Sequence, residues 1–346
     1  MRGLLMKDWI EEELKRPPKL TCAAKTPEEF RAWQRRFRAA MRRALGPFPK
    51  RVPLDPETTE RTDCGSYVRE KVVFSSEPHM AVVAWVLVPK GNGPGQRRPA
   101  LVCAHGHGIG KNPLVGLDVE GKATNAEGTQ FEDYQHRHAV QFAERGYVVI
   151  APDWRGFGER RDGSPWDDQG RDGCNLRHLA AGYFGYSLLA LQIHDGMRCV
   201  DYLQSRREVD PRRIGCVGVS FGGTMTTYLT AFDRRIKVGV ICCYLSTIAN
   251  GLRRTNFCGA QYMPQLRANG DIPDVALLAA PKPLLAEVGE RDTCFEVDDA
   301  RAACDHVRRG YAAAGAADRF DVDLFPGEHE FSGRKAFDWF DKWLKG

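Results

Sequence analysis

Residues 213–223 read Arg-Ile-Gly-Cys-Val-Gly-Val-Ser-Phe-Gly-Gly, an apolar run that ends in a glycine–serine–glycine pattern. The run 214–219 is typical of a buried parallel strand. Gly218 and Gly222 allow the backbone to turn sharply from this strand into a helix, which leaves the hydroxyl of Ser220 exposed. The amides at the start of that helix favour negative charge nearby. Ser220 is therefore the candidate nucleophile.

The composition is that of a globular protein with a large core. Its 346 residues are 42% apolar and 27% charged, which fits one large α/β domain or two smaller ones. The net charge of +5 is spread thinly, which argues against a nucleic-acid partner. The eleven cysteines form no C-x-x-C pair and several lie in apolar runs, as expected in a reducing compartment. No signal peptide or long apolar span is present, so we expect a cytoplasmic protein without a membrane partner.

The N-terminal region is expected to be helical. Thr26 and Pro27 begin a helix that the pattern extends to Leu45. One face of this helix is apolar, and the opposite face is rich in arginine, which is typical of a solvated surface. A membrane surface and a subunit interface are the alternatives, and the second leaves a homo-oligomer open. We expect residues 1–61 to form an N-terminal helical extension. The apolar face of the helix contains Phe30, Trp33, Phe37, Met41 and Leu45.

Residues 62–346 are expected to form one domain in which strands and helices alternate. This alternation predicts an α/β fold with a mostly parallel central sheet covered by helices on both faces. Residues 247–280 fit neither a strand nor a clean helix, so we expect a small cap-like insertion over the C-terminal edge of the sheet. The predicted strands are 67–74, 81–88, 100–104, 147–151, 214–219, 238–245, 284–288 and 320–325, and the predicted helices are 133–144, 186–205, 222–232, 297–314 and 331–344.

A serine nucleophile needs a base, and the base needs an acid that orients it. Parallel sheets place such residues at the carboxyl ends of their strands. Among nine histidines, His329 follows the last predicted strand directly in a loop, so it is the candidate base. Asp292 follows the preceding strand and is the candidate acid. Glu290 is the alternative acid, because it lies closer to the end of that strand.

Backbone amides are expected to bind the negative charge that develops on the substrate. The sequence His105-Gly-His107-Gly follows the strand at 100–104, and such a turn presents the amide of His107 toward the serine. The amide of Phe221 completes this oxyanion hole. His105 and His107 have no third ligand nearby in sequence, so we expect no metal.

Aromatic residues are expected to border a small acyl pocket beside Ser220. The candidates are Trp154, Phe157, Phe257 and Tyr262, and filling of the core is the alternative role for these rings. Bulky rings near a serine favour short acyl groups, because each methylene that does not fit costs about 1–3 kcal/mol. For Asp153 and Arg155, bracing of their loop by ion pairs is the favoured role, and binding of a substrate carboxylate is the alternative.

The motifs together resemble those of a known superfamily. Ser220, Asp292 and His329 follow one another in the order typical of the α/β-hydrolases, and the chain is similar to them from about residue 62 onward. Within that superfamily it resembles the dienelactone-hydrolase-like and acetyl xylan esterase-like bacterial serine esterases. Phe157 and Phe221 stand where the sugar deacetylases usually carry glutamine. The matching motifs are Ala104-His-Gly-His-Gly108, Asp153-x-Arg-Gly-x-Gly158, Gly218-x-Ser-x-Gly222 and Gly327-x-His-Glu330.

This resemblance implies a serine carboxylesterase without a cofactor. Its substrate would be a small-molecule ester, small or sugar-linked, with a short acyl group such as acetyl. A serine peptidase of the prolyl-oligopeptidase type is an alternative, although about sixty N-terminal residues are too few for the propeller of those enzymes. A non-catalytic binding protein with the hydrolase fold is the third reading, and the Ser/Asp/His set disfavours it.

Overall fold

The computed structural model describes residues 5–91, 93, 96–123, 134–163, 171–254 and 257–346, with the backbone alone at 171 and 172. Nine strands in these residues form one sheet: β1 (Glu57–Asp63), β2 (Tyr67–Glu77), β3 (Met80–Pro89), β4 (Arg98–Ala104), β5 (Val148–Pro152), β6 (Val209–Val219), β7 (Ile236–Cys242), β8 (Leu284–Gly289) and β9 (Phe320–Phe325). The described helices are α1 (Met6–Leu14), α2 (Pro27–Leu45), α3 (His138–Glu144), α4 (Arg171–Tyr183), α5 (Leu188–Ser205), α6 (Phe221–Phe232), α7 (Ile248–Arg253), α8 (Leu266–Asn269), α9 (Ile272–Leu277), α10 (Val297–Ala313) and α11 (Ala336–Leu344). None of them combines the length and apolarity needed to cross a membrane.

The sheet is mostly parallel, with strand order β1-β2-β3-β5-β4-β6-β7-β8-β9. The pairs β1–β2, β2–β3 and β3–β5 are antiparallel. All pairs from β5 to β9 are parallel, with β4 between β5 and β6. The loops that follow β4, β5, β6, β8 and β9 therefore meet at one edge of the sheet. The predicted α/β-hydrolase architecture is confirmed.

Helices cover both faces of the sheet. Neighbouring residues of a strand point to opposite faces, so each inner strand contributes side chains to two apolar clusters. Cys216 of β6 belongs to the apolar cluster that includes residues of α2, α5, α6, α9 and α10. Val217, the next residue, belongs to the cluster that includes α3 and α11. β6 is thus buried on both faces, and Ser220 follows its C-terminal end directly.

The helix α2 begins and ends as its sequence predicts. The side chain of Thr26 accepts a 3.2 Å hydrogen bond from the amide of Glu29, and Gly46 ends the helix with φ 77°. All five predicted apolar residues are buried. Arg38 differs from the other arginines of this helix, because its guanidinium donates to the carbonyl oxygens of Ala231 and, at 2.6 Å, Leu278. Its burial lowers the pKa of Arg38 to about 10.

The insertion (residues 247–280) differs from the expectation, because it contains the short helices α7, α8 and α9. Asp271 and Asp274 form a capping box that begins α9. The N-terminal region is hydrogen-bonded to the insertion in several places. The amides of Lys19 and Leu20 donate to the carbonyl oxygens of Ala268 and Asn269, at 3.1 and 2.7 Å. Further contacts are the 2.9 Å bond from the amide of Cys22 to Asp274, the 2.7 Å bond from Arg267 to the carbonyl oxygen of Leu14, and the 2.7 Å ion pair of Arg253 with Glu11.

Some predicted boundaries are wrong for local reasons. β7 ends at Cys242 rather than at residue 245, because Cys243 has a left-handed φ of 46°. α11 begins at Ala336 rather than at 331, because Gly333 has φ 69°, which a helical residue does not adopt. The helix predicted from 133 begins at 138 in the described chain, and residue 133 itself lies outside the described residues.

Candidate active site

Ser220 lies in the sharp turn between β6 and α6. Its φ of 60° and ψ of −119° are strained for a residue with a side chain, at a cost of about 1–3 kcal/mol. A Cβ atom on Gly218 or Gly222 would lie 2.5 or 2.0 Å from the carbonyl oxygen of Ala104. Only glycine fits at these two positions, because the turn presses against the end of β4. The turn has the geometry that the sequence predicts.

His329 and Asp292 are in direct contact. Nδ1 of His329 donates to Oδ2 of Asp292 at 2.9 Å. The other carboxylate oxygen accepts hydrogen bonds from the amides of Cys294 and Phe295, at 2.7 and 3.0 Å. These amides fix the carboxylate and stabilise its negative charge. Because Nδ1 is engaged by Asp292, Nε2 is the ring nitrogen of His329 that is left to accept a proton.

The alternative acid lies elsewhere. Glu290 is exposed, and its carboxylate is 3.9 Å from the guanidinium of Arg301. Asp299, a carboxylate that also follows β8, instead accepts hydrogen bonds from Ser246 and Thr247, next to the start of the insertion. Geometry therefore pairs His329 with the acid that the sequence favours.

His105 is a structural link between two loops. Its Nε2 accepts a 3.2 Å hydrogen bond from the amide of Trp154, so its Nδ1 carries the proton and donates to the carbonyl oxygen of Gly106 at 2.6 Å. Complete burial lowers the pKa of His105 to about 4. The ring is thus neutral near pH 7, and both of its nitrogens are used inside the protein.

His107 lies at the centre of the loop that follows β4. Its ring is 5.1 Å from that of Phe221 and 5.6 Å from that of Phe157, and these two phenyl rings stack at 5.5 Å. The hydroxyl of Tyr134 donates a 2.7 Å hydrogen bond to the carbonyl oxygen of His107. The ring of Tyr134 is also 5.7 Å from that of His329. Tyr134 was not predicted from the sequence, because the pattern assigns it to a helix from 133, whereas in the structure it lies in the turn before α3.

Asp153 and Arg155 brace their own loop. Asp153 is buried and accepts hydrogen bonds from the amide and the ammonium of Lys111, both at 2.7 Å. Arg155 donates to Asp195 at 2.8 and 2.9 Å and to Glu77 at 2.5 Å. Burial alone would raise the pKa of Asp195, but Arg160 and Arg155 lower it to about 2. The favoured bracing role fits these contacts.

The aromatic candidates occupy two different environments. Trp154 is fully buried and Phe157 is 6% exposed, so both contribute to packing around the loops. Phe257 and Tyr262 line an apolar cavity of about 640 Å³ between α4, α6 and the insertion. Tyr244 also lines this cavity, and it reaches His329 through Phe295, whose ring stacks on the imidazole at 5.8 Å.

Two groups of side chains in the described residues have atoms suited to hold a metal ion. One consists of Cys243, Asp292 and His329, and it overlaps the His–Asp pair described above. The other consists of His107, Cys174 and Cys258. His105 belongs to neither group, and both of its ring nitrogens have partners within the protein.

Known proteins resemble this chain over most of its length. Residues 10–331 match the model described as Abhydrolase family. YtaP of Bacillus subtilis (strain 168), whose name describes a hydrolase, is 30% identical over 288 residues, 81% of this chain and 88% of YtaP. A Bacteroides fragilis NCTC 9343 structure described as an acetyl xylan esterase has a TM-score of 0.74 at 21% identity, covering 94% of this chain and 83% of its own. The glucuronoyl esterase from Solibacter usitatus has a TM-score of 0.64 at 14% identity, covering 95% and 97%. The two structures show a shared fold.

Proposed function

Because the chain belongs to the Abhydrolase family, we propose that it is a serine carboxylesterase that hydrolyses small or sugar-linked esters with a short acyl group such as acetyl. The observation that carries this proposal is the 2.9 Å contact between His329 and Asp292 at the sheet edge where Ser220 occupies its strained turn. The esterase names of the structural relatives point in the same direction.

The reaction proceeds in two halves. Nε2 of His329 takes the proton of the Ser220 hydroxyl as its oxygen attacks the ester carbonyl carbon, and Asp292 stabilises the imidazolium that forms. The imidazolium then gives that proton to the leaving alcohol, and the acyl group stays on Ser220. In the second half, water gives a proton to Nε2 of His329 as its oxygen attacks the acyl carbon. The imidazolium then returns that proton to the oxygen of Ser220 as the acyl–oxygen bond breaks, which releases the acid and restores the serine.

The negative oxygen of each tetrahedral intermediate is bound by the amides of His107 and Phe221. Phe221 is the first residue of α6, so its amide has no partner within the helix. The carbonyl oxygen of His107 is held by Tyr134, which fixes the loop that supplies the other amide. Removal of one such donor typically costs about 100- to 1,000-fold in kcat.

Each part of the ester has its own place in this proposal. The acyl group is placed beside Phe157, whose ring stacks on that of Phe221, and the bulk of these rings favours a short chain. The alcohol part extends toward the 640 Å³ cavity lined by Phe257 and Tyr262. That cavity is apolar, so an alcohol with an apolar face is favoured over a fully polar sugar.

Covalent labelling tests the proposal directly. A fluorophosphonate should add one equivalent to the wild type on Ser220, found by mass spectrometry of peptides, and nitrophenyl acetate should be hydrolysed. The variant Ser220→Ala should lose the label and about six orders of magnitude in turnover. The matched control Ser205→Ala changes an exposed serine at the end of α5 and should behave like the wild type.

Other results would lead to other assignments. Turnover of a peptide anilide in preference to the nitrophenyl ester would identify a peptidase. A folded wild type that neither reacts with the phosphonate nor hydrolyses either substrate would be a non-catalytic hydrolase-fold protein. Full esterase activity in Ser220→Ala would disprove the nucleophile.

A further inference from the structure

Three potential metal ligands converge beside the proposed oxyanion hole. His107 comes from the loop after β4, Cys174 from α4, and Cys258 from the insertion. Nε2 of His107 is 3.2 Å from Sγ of Cys258, and the ligand atoms of all three residues lie within 4.8 Å of one another. Cys258 borders the cavity proposed for the alcohol part of the ester, but none of the three side chains takes part in the proposed bond-making and proton-transfer steps.

The spacing is close to that of a zinc site. Zinc binds sulfur at about 2.3 Å and imidazole nitrogen at about 2.0–2.1 Å, so the ligand atoms of a tetrahedral site lie about 3.5–3.8 Å apart. The separation of His107 and Cys258, 3.2 Å, is slightly shorter than this range, and the other two are no longer than 4.8 Å. Side-chain movements of about 1 Å therefore bring the three ligand atoms to zinc-like spacing. Water or a substrate oxygen would complete the four ligands.

The surroundings favour a cation held by two thiolates. Cys174 and Cys258 are both buried and His107 is half-buried, so the group is largely shielded from solvent. A divalent cation with two thiolates and a neutral imidazole carries no net charge, which avoids the cost of burying an unpaired ion. Soft sulfur ligands select zinc and cadmium over magnesium or calcium.

The segments around the two cysteines are tightly packed. A Cβ atom on Gly259 would lie 2.4 Å from Cβ of His178 and 2.7 Å from the carbonyl oxygen of Cys174. The amide of Gly259 donates a 2.7 Å hydrogen bond to the side chain of Asn175. These contacts fix Cys258 against α4, so the two thiols are brought together by the fold.

We propose that His107, Cys174 and Cys258 form a binding site for Zn²⁺ or a chemically similar soft cation such as Cd²⁺. Each thiol releases its proton to solvent when the sulfur binds the cation. Resting on the proposed function, binding inhibits ester hydrolysis, because coordination of the His107 ring moves the loop whose amide binds the oxyanion. A displacement of about 1 Å in such a group costs about 100-fold in rate.

The binding test uses Cd²⁺, whose thiolate complexes absorb in the ultraviolet. Reduced wild-type protein, with free thiols verified by alkylation, should show this band and saturate at one equivalent. Cys174→Ser and Cys258→Ser should each lose the band, and Cys174→Ala and Cys258→Ala repeat the test without a hydroxyl. The control Cys304→Ser removes a buried thiol of α10 and should keep the band. Circular dichroism confirms that each variant is folded.

The activity test separates this site from the esterase assignment. Zn²⁺ should reduce the rate of nitrophenyl acetate hydrolysis by the wild type, and a chelator should restore that rate. In Cys258→Ser, the ratio of the rate with Zn²⁺ to the rate without Zn²⁺ should approach one. One bound Cd²⁺ without any esterase activity would support the site and contradict the proposed function. A wild type without the band, or a band that persists at one equivalent after both cysteines are replaced, would overturn the site.

Discussion

The hydroxyl of Tyr134 donates a 2.7 Å hydrogen bond to the carbonyl oxygen of His107. The carbonyl oxygen of Tyr134 in turn accepts a 2.8 Å hydrogen bond from the amide of Phe331. Gly106 leaves room for the hydroxyl, since a Cβ atom there would lie 2.0 Å from it. Tyr134 thus connects the loop that supplies an oxyanion amide with the loop that carries His329.

The variant Tyr134→Phe should therefore lower kcat more than it changes KM. It keeps the ring but removes a hydrogen bond worth about 0.5–1.5 kcal/mol, so a loss of about two- to tenfold is expected. The control Tyr311→Phe removes a similar 2.8 Å hydrogen bond to the carbonyl oxygen of Lys282, far from the site. Steady-state kinetics should show unchanged kcat for this control, and equal losses in both variants would contradict the positioning role.

The two candidate acids should differ sharply. Asp292→Asn should cost about ten-thousand-fold in kcat, because an amide favours the wrong tautomer of His329. Glu290→Gln should leave kcat unchanged, because its carboxylate is exposed and near Arg301. The measurement is the acylation rate of both variants beside His329→Ala, which should lose about as much as the nucleophile variant. A larger loss in Glu290→Gln than in Asp292→Asn would reverse the assignment.

Acyl preference should fall as the chain lengthens. For nitrophenyl esters with two to ten carbons we expect kcat/KM to be highest for acetate and propionate, because each methylene that does not fit costs about 1–3 kcal/mol. Phe157→Ala should shift the preference toward butyrate, whereas Phe257→Ala, on the cavity side, should leave the acyl preference unchanged. A wild-type maximum at eight or ten carbons would instead place the acyl chain in the cavity.

Stability should depend on pH through Glu287, a buried residue of β8. Burial, with a smaller contribution from nearby Asp323, raises its pKa to about 7, although Cys242 and the amides of Ser332 and Gly333 oppose the shift. The ordinary value is 4.5. Between pH 4.5 and about 7 the folded protein holds a proton on Glu287 that the unfolded chain lacks. The stabilisation from this protonation is therefore complete below the ordinary pKa of 4.5, and it is lost as pH rises through about 7.

The loss amounts to at most about 3 kcal/mol in the free energy of unfolding. Glu287→Gln cannot ionise, so its urea-unfolding free energy should fall less than that of the wild type between about pH 5 and 8. The control Glu290→Gln removes an exposed carboxylate three residues later in sequence, just past the end of β8, and should follow the wild type. Parallel pH curves for wild type and Glu287→Gln would show that the carboxyl stays ionised.

The sequence predicts those parts of the fold that follow from local patterns. The turn at Ser220 is recognisable because its glycines are required by a backbone contact, and α2 is recognisable from its cap and its apolar spacing. β1 was missed because almost all of its residues are exposed, so it shows no alternation of polar and apolar side chains. α4 was missed because glycines interrupt a weakly amphipathic stretch.

The candidate site divides in the same way. His329 and Asp292 could be selected because each follows a strand of the parallel sheet. Tyr134 and the group of His107, Cys174 and Cys258 could not be selected, because the residues that contact one another come from segments that are distant in sequence. Contacts of this kind depend on how the loops pack, which no spacing rule encodes.

The hydrogen bonds between the N-terminal region and the insertion limit how substrate can reach Ser220. Lys19 and Leu20 are bonded to the backbone of residues 268 and 269, and Glu11 is paired with Arg253. A swinging motion of the insertion would have to break these bonds or move the first two helices with it, so we expect such a motion to be slow. We therefore expect the ester to reach Ser220 without a swinging motion of the insertion. Turnover should then be insensitive to solvent viscosity except when the chemical step is already as fast as encounter.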